Sequence, residues 1–288
     1  MDIAEYFDTI ESPRRRAEAY DDMVRFYYDF ATDPYMALWG QSFHLAWFAE
    51  GQDLQAAQRT QELWVAAQGG FGAGMRVLDV GCGIGGPAAT IAAATGAHVT
   101  GVNISPRQVE LARGLRGPEQ AEPGTVEFEV GDAMDLPDHW AGRFDGAYSI
   151  EAICHTPDKA RVYQQVAAAL RPGSRFVGCD WFTRDGISTE AYAAAIEPLC
   201  QTLALPHLIS MAQLRGALEA AGFAVESLSR YSDHGDAAPN WSLFENVHGA
   251  LGGSDGDKVL RESLGLLRSG AESGDFVLGC WVARRPTD

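Results

Sequence analysis

Apolar positions along the chain change their period once. As far as Gln68 they recur at near-helical intervals: Tyr20 to Phe30 is aromatic-rich, and Leu54, Ala57, Leu63, Trp64 and Ala67 fall at such intervals between Asp53 and Gln68. The run Gly69-Gly70-Phe71-Gly72-Ala73-Gly74 breaks the pattern. Beyond it, short apolar runs alternate with helical stretches. The runs predict strands over 75–80, 97–102, 126–130, 144–150, 175–179, 223–228 and 276–283. Helices are predicted over 87–95, from Ser105 to about Arg116, over 157–170 and over 211–221. Ser105 caps the second of these with Pro106 in its first turn, and Pro172-Gly173 stops the third. This alternation predicts an α/β fold whose sheet is mainly parallel and covered on both faces. Two segments, 183–210 and 232–272, fall outside the repeat and read as helical insertions. The expected organisation is a helical N-terminal lid segment, residues 1–70, followed by an α/β domain, residues 71–288. The insertion at 183–210 is expected to join the lid.

Charge narrows the choice of partners. The formal net charge of −17 repels phosphate backbones and anionic lipid, so the expected partner is a small molecule, not nucleic acid. No run of eighteen apolar residues predicts a membrane span. The acidic start, Met1-Asp2-Ile3-Ala4-Glu5, lacks a signal-peptide pattern, and a cytoplasmic location is expected. Five cysteines, at 82, 154, 179, 200 and 280, are scattered without a CxxC pair and read as reduced thiols. Assembly into a homo-oligomer is left open.

The chemistry begins at the turn Asp79-Val80-Gly81-Cys82-Gly83-Ile84-Gly85-Gly86. Gly81, Gly83 and Gly86 satisfy GxGxxG, a strand-to-helix turn that lets a ligand approach the backbone. Three neighbours favour S-adenosylmethionine over a nicotinamide cofactor. Asp79, just before the glycines, repels a diphosphate but welcomes an ammonium group. Asn103, after the second strand, suits ribose hydroxyls. In Gly131-Asp132-Ala133, after the third strand, a carboxylate can accept from the adenine amino group. Gln108 is placed to reach the ribose from the next helix.

These surroundings resemble a class I methyltransferase with a Rossmann-like sheet, in which the final β-prone strand, 276–283, would run antiparallel. Three segments resemble the sterol and prenyl C-methyltransferase branch: Trp39-Gly40-Gln41-Ser42-Phe43-His44, Leu78 to Pro87 (LDVGCGIGGP), and Ser149 to Lys159 (SIEAICHTPDK). The resemblance covers roughly residues 20–180. It implies methyl transfer from S-adenosylmethionine to an alkene carbon of an isoprenoid through a carbocation. After the second strand the chain reads Asn103-Ile104-Ser105-Pro106, where sterol enzymes carry a repeated aromatic–asparagine run; this weighs against a sterol acceptor. Transfer to oxygen or nitrogen of a small metabolite, and a cyclase-like protein that binds the cofactor without transferring methyl, are the alternatives.

Methylating an alkene requires reactants in contact, stabilised positive charge and a final proton acceptor. Glu151 is expected to stabilise the cation or act as base, with His155 as its partner or as the base itself. Trp39, Gln41, Ser42, Asp79, Gly81, Gly83, Asn103, Gln108, Asp132, Ala133 and Ser149 are the expected cofactor contacts. Tyr28, Phe43, Trp181, Tyr231 and Phe244 are expected against the acceptor, with Phe182 and Trp241 as further wall candidates. Arg14-Arg15-Arg16 reads as a solvated helix face. Arg143, Arg161, Arg175, Arg184 and Arg230 could meet a diphosphate if they converged. No histidine spacing predicts a metal site, and Asp132, Asp135 and Asp138 read as a solvated cluster.

Overall fold

The computed structural model describes residues 1–114, 124–243 and 255–287, with side chains described outside 242–243 and 255–262. The chain opens with four helices, α1 (Ile3–Ile10), α2 (Pro13–Glu18), α3 (Tyr20–Trp39) and α4 (Leu54–Gly69). Asp2 caps α1 in a capping box with Glu5, and Asp53 caps α4 through the Ala56 N–H. Gly70, in the left-handed conformation, ends α4.

The alternating part follows: β1 (Arg76–Val80), α5 (Gly86–Thr95), β2 (His98–Asn103), α6 (Pro106–Gly114), β3 (Thr125–Val130), β4 (Phe144–Ile150), α7 (Lys159–Ala169) and β5 (Leu170–Thr183). After short helices α8 (Thr189–Ala191) and α9 (Glu197–Thr202), joined by a widened turn over Tyr192–Ile196, come α10 (Met211–Ala220) and β6 (Ala224–Arg230). Helices α11 (Pro239–Leu243) and α12 (Asp255–Ser273) precede β7 (Phe276–Arg284). The seven strands lie in the order β3-β2-β1-β4-β5-β7-β6. β7 runs antiparallel between β5 and β6, as the resemblance implied, and the other pairings are parallel.

Consecutive residues of the central strands point to opposite faces and both faces are buried, so these strands cover two cores. Leu78 and Val80 face the core shared with Val162 and Val166 of α7 and Leu214 and Leu218 of α10. Val77 faces the opposite core, with Val65 of α4 and Ile91 of α5. Both insertions are partly helical. The first packs on the N-terminal helices through a buried arginine.

That arginine is a correction. Arg14 and Arg15 are solvated, but Arg16 is fully buried. Its guanidinium donates to Ile10 O (2.6 Å), Leu205 O (2.8 Å) and Glu197 Oε1 (2.8 Å), tying the α1–α2 turn to the strap after α9. A second correction concerns β5. It starts directly after α7, because Leu170 pairs with Phe144 before the register shifts and Gly146 pairs with Arg175. Pro172-Gly173 is therefore a bulge within the strand, not a loop before it.

Candidate active site

The turn after β1 opens a cleft of about 820 Å³ at the carboxyl ends of β1, β2 and β4. Two glycines make it possible. Gly81 has φ +83°, and a Cβ there would lie 2.2 Å from the Ala152 Cβ. Gly83 has φ +54°, and a Cβ there would meet no protein atom within 4 Å. The first glycine lets β1 pass the loop after β4; the second leaves the floor of the cleft bare.

Among the expected cofactor residues, Gln41, Gly81, Gly83, Asn103, Gln108 and Ala133 line this cleft. Asn103 Nδ2 donates to Gln108 Oε1 at 2.7 Å, which fixes both amides at the end of β2. Val80, Ile84, Val102 and Ile104 supply apolar walls. The open glycine, the paired amides and the apolar walls fit a nucleoside joined to an amino acid. Among the described residues no lysine or arginine lines the cleft, which leaves a dinucleotide's diphosphate without a side-chain cation.

Other expected contacts lie behind the cleft. Asp79 shares the α4–α5 face with Val77, is buried, and accepts from the Tyr148 hydroxyl at 2.7 Å. Burial raises its carboxyl to about 7. Ser149 is fully buried and donates to Val80 O at 2.8 Å. Ser42 donates to Glu62 Oε1 at 2.6 Å. Asp132 accepts from the Met134 N–H at 2.7 Å, while its neighbours Gly131 and Ala133 form the cleft wall.

A smaller cavity of about 510 Å³ adjoins the first. Trp39 lines this one, not the cofactor cleft, because it ends α3 on the side of Tyr35. Trp181 lines it too, along with Tyr27, Leu203 and Leu264. Phe182 is buried in the α7–α10 core. Trp241 packs on the opposite core, and Phe244 lies outside the described residues. The five arginines considered for a diphosphate do not converge here. None lines either cavity; Arg143 and Arg175 pair with Glu127 and Glu226, Arg184 pairs with Asp275, and Arg161 bonds Met134 O.

Five side chains line both cavities: Tyr28, Phe43, His44, Glu151 and His155. Glu151 stands at the exit of β4 with φ +50°, a conformation that disfavours a side chain. Its Oε1 accepts from the Tyr231 hydroxyl (2.9 Å) and its Oε2 from the Leu45 N–H (3.1 Å). Tyr231, expected on the acceptor wall, is instead buried behind Glu151, and Gln61 Nε2 donates to its oxygen at 2.8 Å. Burial raises the Glu151 carboxyl to about 7, against the pull of His44 and the two hydrogen bonds. Burial also disfavours charge on His44, but Glu62, 3.4 Å away, outweighs it and raises the imidazole.

His155 is not bonded to Glu151, as one expectation had it. Its Nε2 meets the Tyr28 hydroxyl at 2.9 Å and its Nδ1 meets Ala204 O at 3.3 Å. Burial lowers the imidazole to about 4, so the ring is neutral at ordinary pH. Among the described residues no three histidine, cysteine or acidic side chains gather as a metal site, and no helix is long and apolar enough to cross a membrane.

Residues 48–228 match the methyltransferase domain family. A sterol 24-C-methyltransferase of Gibberella zeae is 35% identical over 260 residues, covering 86% of this chain and 66% of its own length. A cycloartenol-C-24-methyltransferase of Oryza sativa subsp. japonica is 36% identical over 212 residues, covering 73% of this chain and 61% of its own. The chain thus spans just under two thirds of these relatives. Among solved structures, the cyclase SpnF superposes with a TM-score of 0.77 at 23% identity, over 93% of this chain and 97% of that one. This last likeness is one of fold.

Proposed function

The chain belongs to the methyltransferase domain family, and from that premise we propose that it methylates a carbon of an uncharged isoprenoid acceptor. The methyl donor of the family, S-adenosylmethionine, supplies an electrophilic methyl group on a sulfonium sulfur. The observation that carries the reading is the junction of the two cavities at a carboxylate and aromatic rings. The amides of Asn103, Gln108 and Gln41 hold the donor in the larger cleft. Aromatic and leucine side chains take the acceptor in the smaller one, and exclude water from it.

Glu151, once ionised, and the faces of Tyr28 and Phe43 oppose the positive charge that develops on the acceptor carbon. Transfer to an ionised oxygen develops no cation and would not call for such a box; transfer to an amine nitrogen would, so the choice of carbon over nitrogen rests on the relatives. The sterol methyltransferase relatives support transfer to carbon. The absence of lysine and arginine from both linings, among the described residues, supports an acceptor without a diphosphate. The test is incubation with methyl-labelled S-adenosylmethionine and cycloartenol, geraniol or geranyl diphosphate, with products analysed by NMR. Label on carbon of a neutral acceptor is expected. Label on geranyl diphosphate alone would reverse the assignment of acceptor charge, and label on oxygen or nitrogen would end the carbon-transfer reading.

A further inference from the structure

We propose that Tyr28 and His155 form the proton-accepting pair of the reaction: the Tyr28 hydroxyl takes the proton that leaves the methylated acceptor and passes its own to His155 Nε2. This rests on the methyl-transfer reading above. It divides the labour differently from a single base, leaving Glu151 to oppose charge.

The direction of the hydrogen bonds carries the argument. A carbonyl oxygen can only accept, so Ala204 O requires the hydrogen on His155 Nδ1. Nε2 of the neutral ring then offers a lone pair, and the Tyr28 hydroxyl, 2.9 Å away, must be the donor. Tyr28 lines both cavities, at the junction where the proposed donor and acceptor would meet. The Glu151 oxygens, by contrast, already take hydrogen bonds from Tyr231 and Leu45.

The scaffold around His155 is built to keep this tautomer. Only two non-glycine residues among those described have positive φ: Glu151 (+50°) and Ala204 (+52°), whose carbonyl faces His155. Backbone strain of this kind persists where its surroundings enforce it. Arg16 holds the strap at Leu205 O (2.8 Å), and Lys159 holds it at His207 O (2.9 Å). The same ammonium bonds Cys154 O (3.3 Å) and Thr156 O (2.9 Å), on either side of His155. Two buried cations therefore fix the turn that carries the imidazole and the strap that orients it. Arg16 and Lys159 are positioning residues; Tyr28 and His155 are catalytic.

The step balances. A C–H bond next to the cationic carbon breaks, and its electron pair becomes the new C=C bond. An O–H bond forms at Tyr28 as the old one breaks, and an N–H bond forms at Nε2. The result is a neutral product and an imidazolium still bonded to Ala204 O. A weak base suffices, because the proton leaves a carbocation; what matters is that the ring is unprotonated when the cation forms. Burial, which lowers His155 to about 4, secures that. Lys159 opposes the imidazolium charge, which favours onward loss of the proton.

The test uses the full chain labelled with 15N-histidine and saturated with S-adenosylhomocysteine, the His155 signals being those lost in His155→Gln. Long-range proton–nitrogen NMR at neutral pH is expected to show a neutral ring with its hydrogen on Nδ1, unchanged down to about pH 5. A hydrogen on Nε2, or a charged ring, would overturn the pair. With cycloartenol or geraniol as acceptor, whichever the native protein methylates, Tyr28→Phe and His155→Gln are each expected to lower kcat by ~10²-fold or more at nearly unchanged KM. The double variant should lose little more than either single one. Full kcat in Tyr28→Phe would overturn the relay. If the native protein methylates neither cycloartenol nor geraniol, the acceptor assignment fails, while the NMR result still decides the pair.

Discussion

Replacing Glu151 with glutamine isolates the energetic burden of a buried carboxylate. Burial raises this carboxyl from 4.5 to about 7. The folded-state value lies above the unfolded one, so the fold prefers the protonated form. Its stabilising contribution is full below about pH 4.5 and is lost as pH rises through about 7. The difference, 4.5 to about 7, corresponds to ~3 kcal/mol at ~1.36 kcal/mol per unit. Glutamine removes the dependence. It cannot accept from both the Tyr231 hydroxyl and the Leu45 N–H, which costs ~1 kcal/mol at every pH. The quantity to read is therefore the change between two pH values, in which that cost cancels. Burial also raises Asp79 and Asp180, to about 7 and about 6, so both proteins lose stability as pH rises, and that loss cancels as well. Urea unfolding near pH 4 and near pH 8 should show the variant gaining ~3 kcal/mol on the native protein over the interval. Parallel stability curves would refute the reasoning, since they would mean that Glu151 ionises in the folded protein as freely as in water.

Three further outcomes are expected. Gly83→Ala should fold with a cost of ~1 kcal/mol for its left-handed backbone, yet bind S-adenosylhomocysteine at least ~10-fold more weakly; an unchanged Kd by calorimetry would remove the ligand from that floor. Arg16→Met strips donors from the buried carbonyls of Ile10 and Leu205 and should destabilise the protein by ~2–4 kcal/mol in denaturant titration, whereas a neutral result would make the guanidinium incidental. Tyr231→Phe removes a hydrogen bond from the ionised form of Glu151 and should move the acid limb of kcat/KM for methyl transfer upward by ~1 pH unit; a limb that stays in place would dissociate Glu151 from the pH profile.

Most strands were legible because they hold a short apolar run between turn residues, although β5 reads too short where Pro172-Gly173 imitates a loop, and the glycine turn announced where the cleft would open. Side-chain direction was the harder part. Asp79 and Ser149 adjoin the cleft-forming loops in sequence, but Asp79 lies opposite Tyr148 in register and points with Val77 towards α4. Strict alternation along β1 is the signal that could have placed it. Partners distant in sequence leave no local trace. Arg16 reads as one of three surface cations because Glu197 and Leu205 lie 181 and 189 residues away. Glu151 and Tyr231 are separated by 80 residues, and Tyr28 and His155 by 127. Asn103 and Gln108 were legible as cleft residues because β2 ends and α6 begins beside the glycine turn, whereas Gln41 was legible only through the resemblance of its segment.

The place of β7 has a consequence for how the chain is made. Cys179 and Cys280 face each other across β5 and β7, their sulfurs 3.3 Å apart, although 101 residues separate them. As the chain leaves the ribosome, β2 to β5 can pair in turn, each with a neighbour already synthesised. β6 cannot, because the strand that joins it to the sheet has yet to be translated. Until β7 slots in, β5 presents an open edge and β6 has no neighbour, which makes this end of the sheet the slowest to form and the most exposed to mispairing.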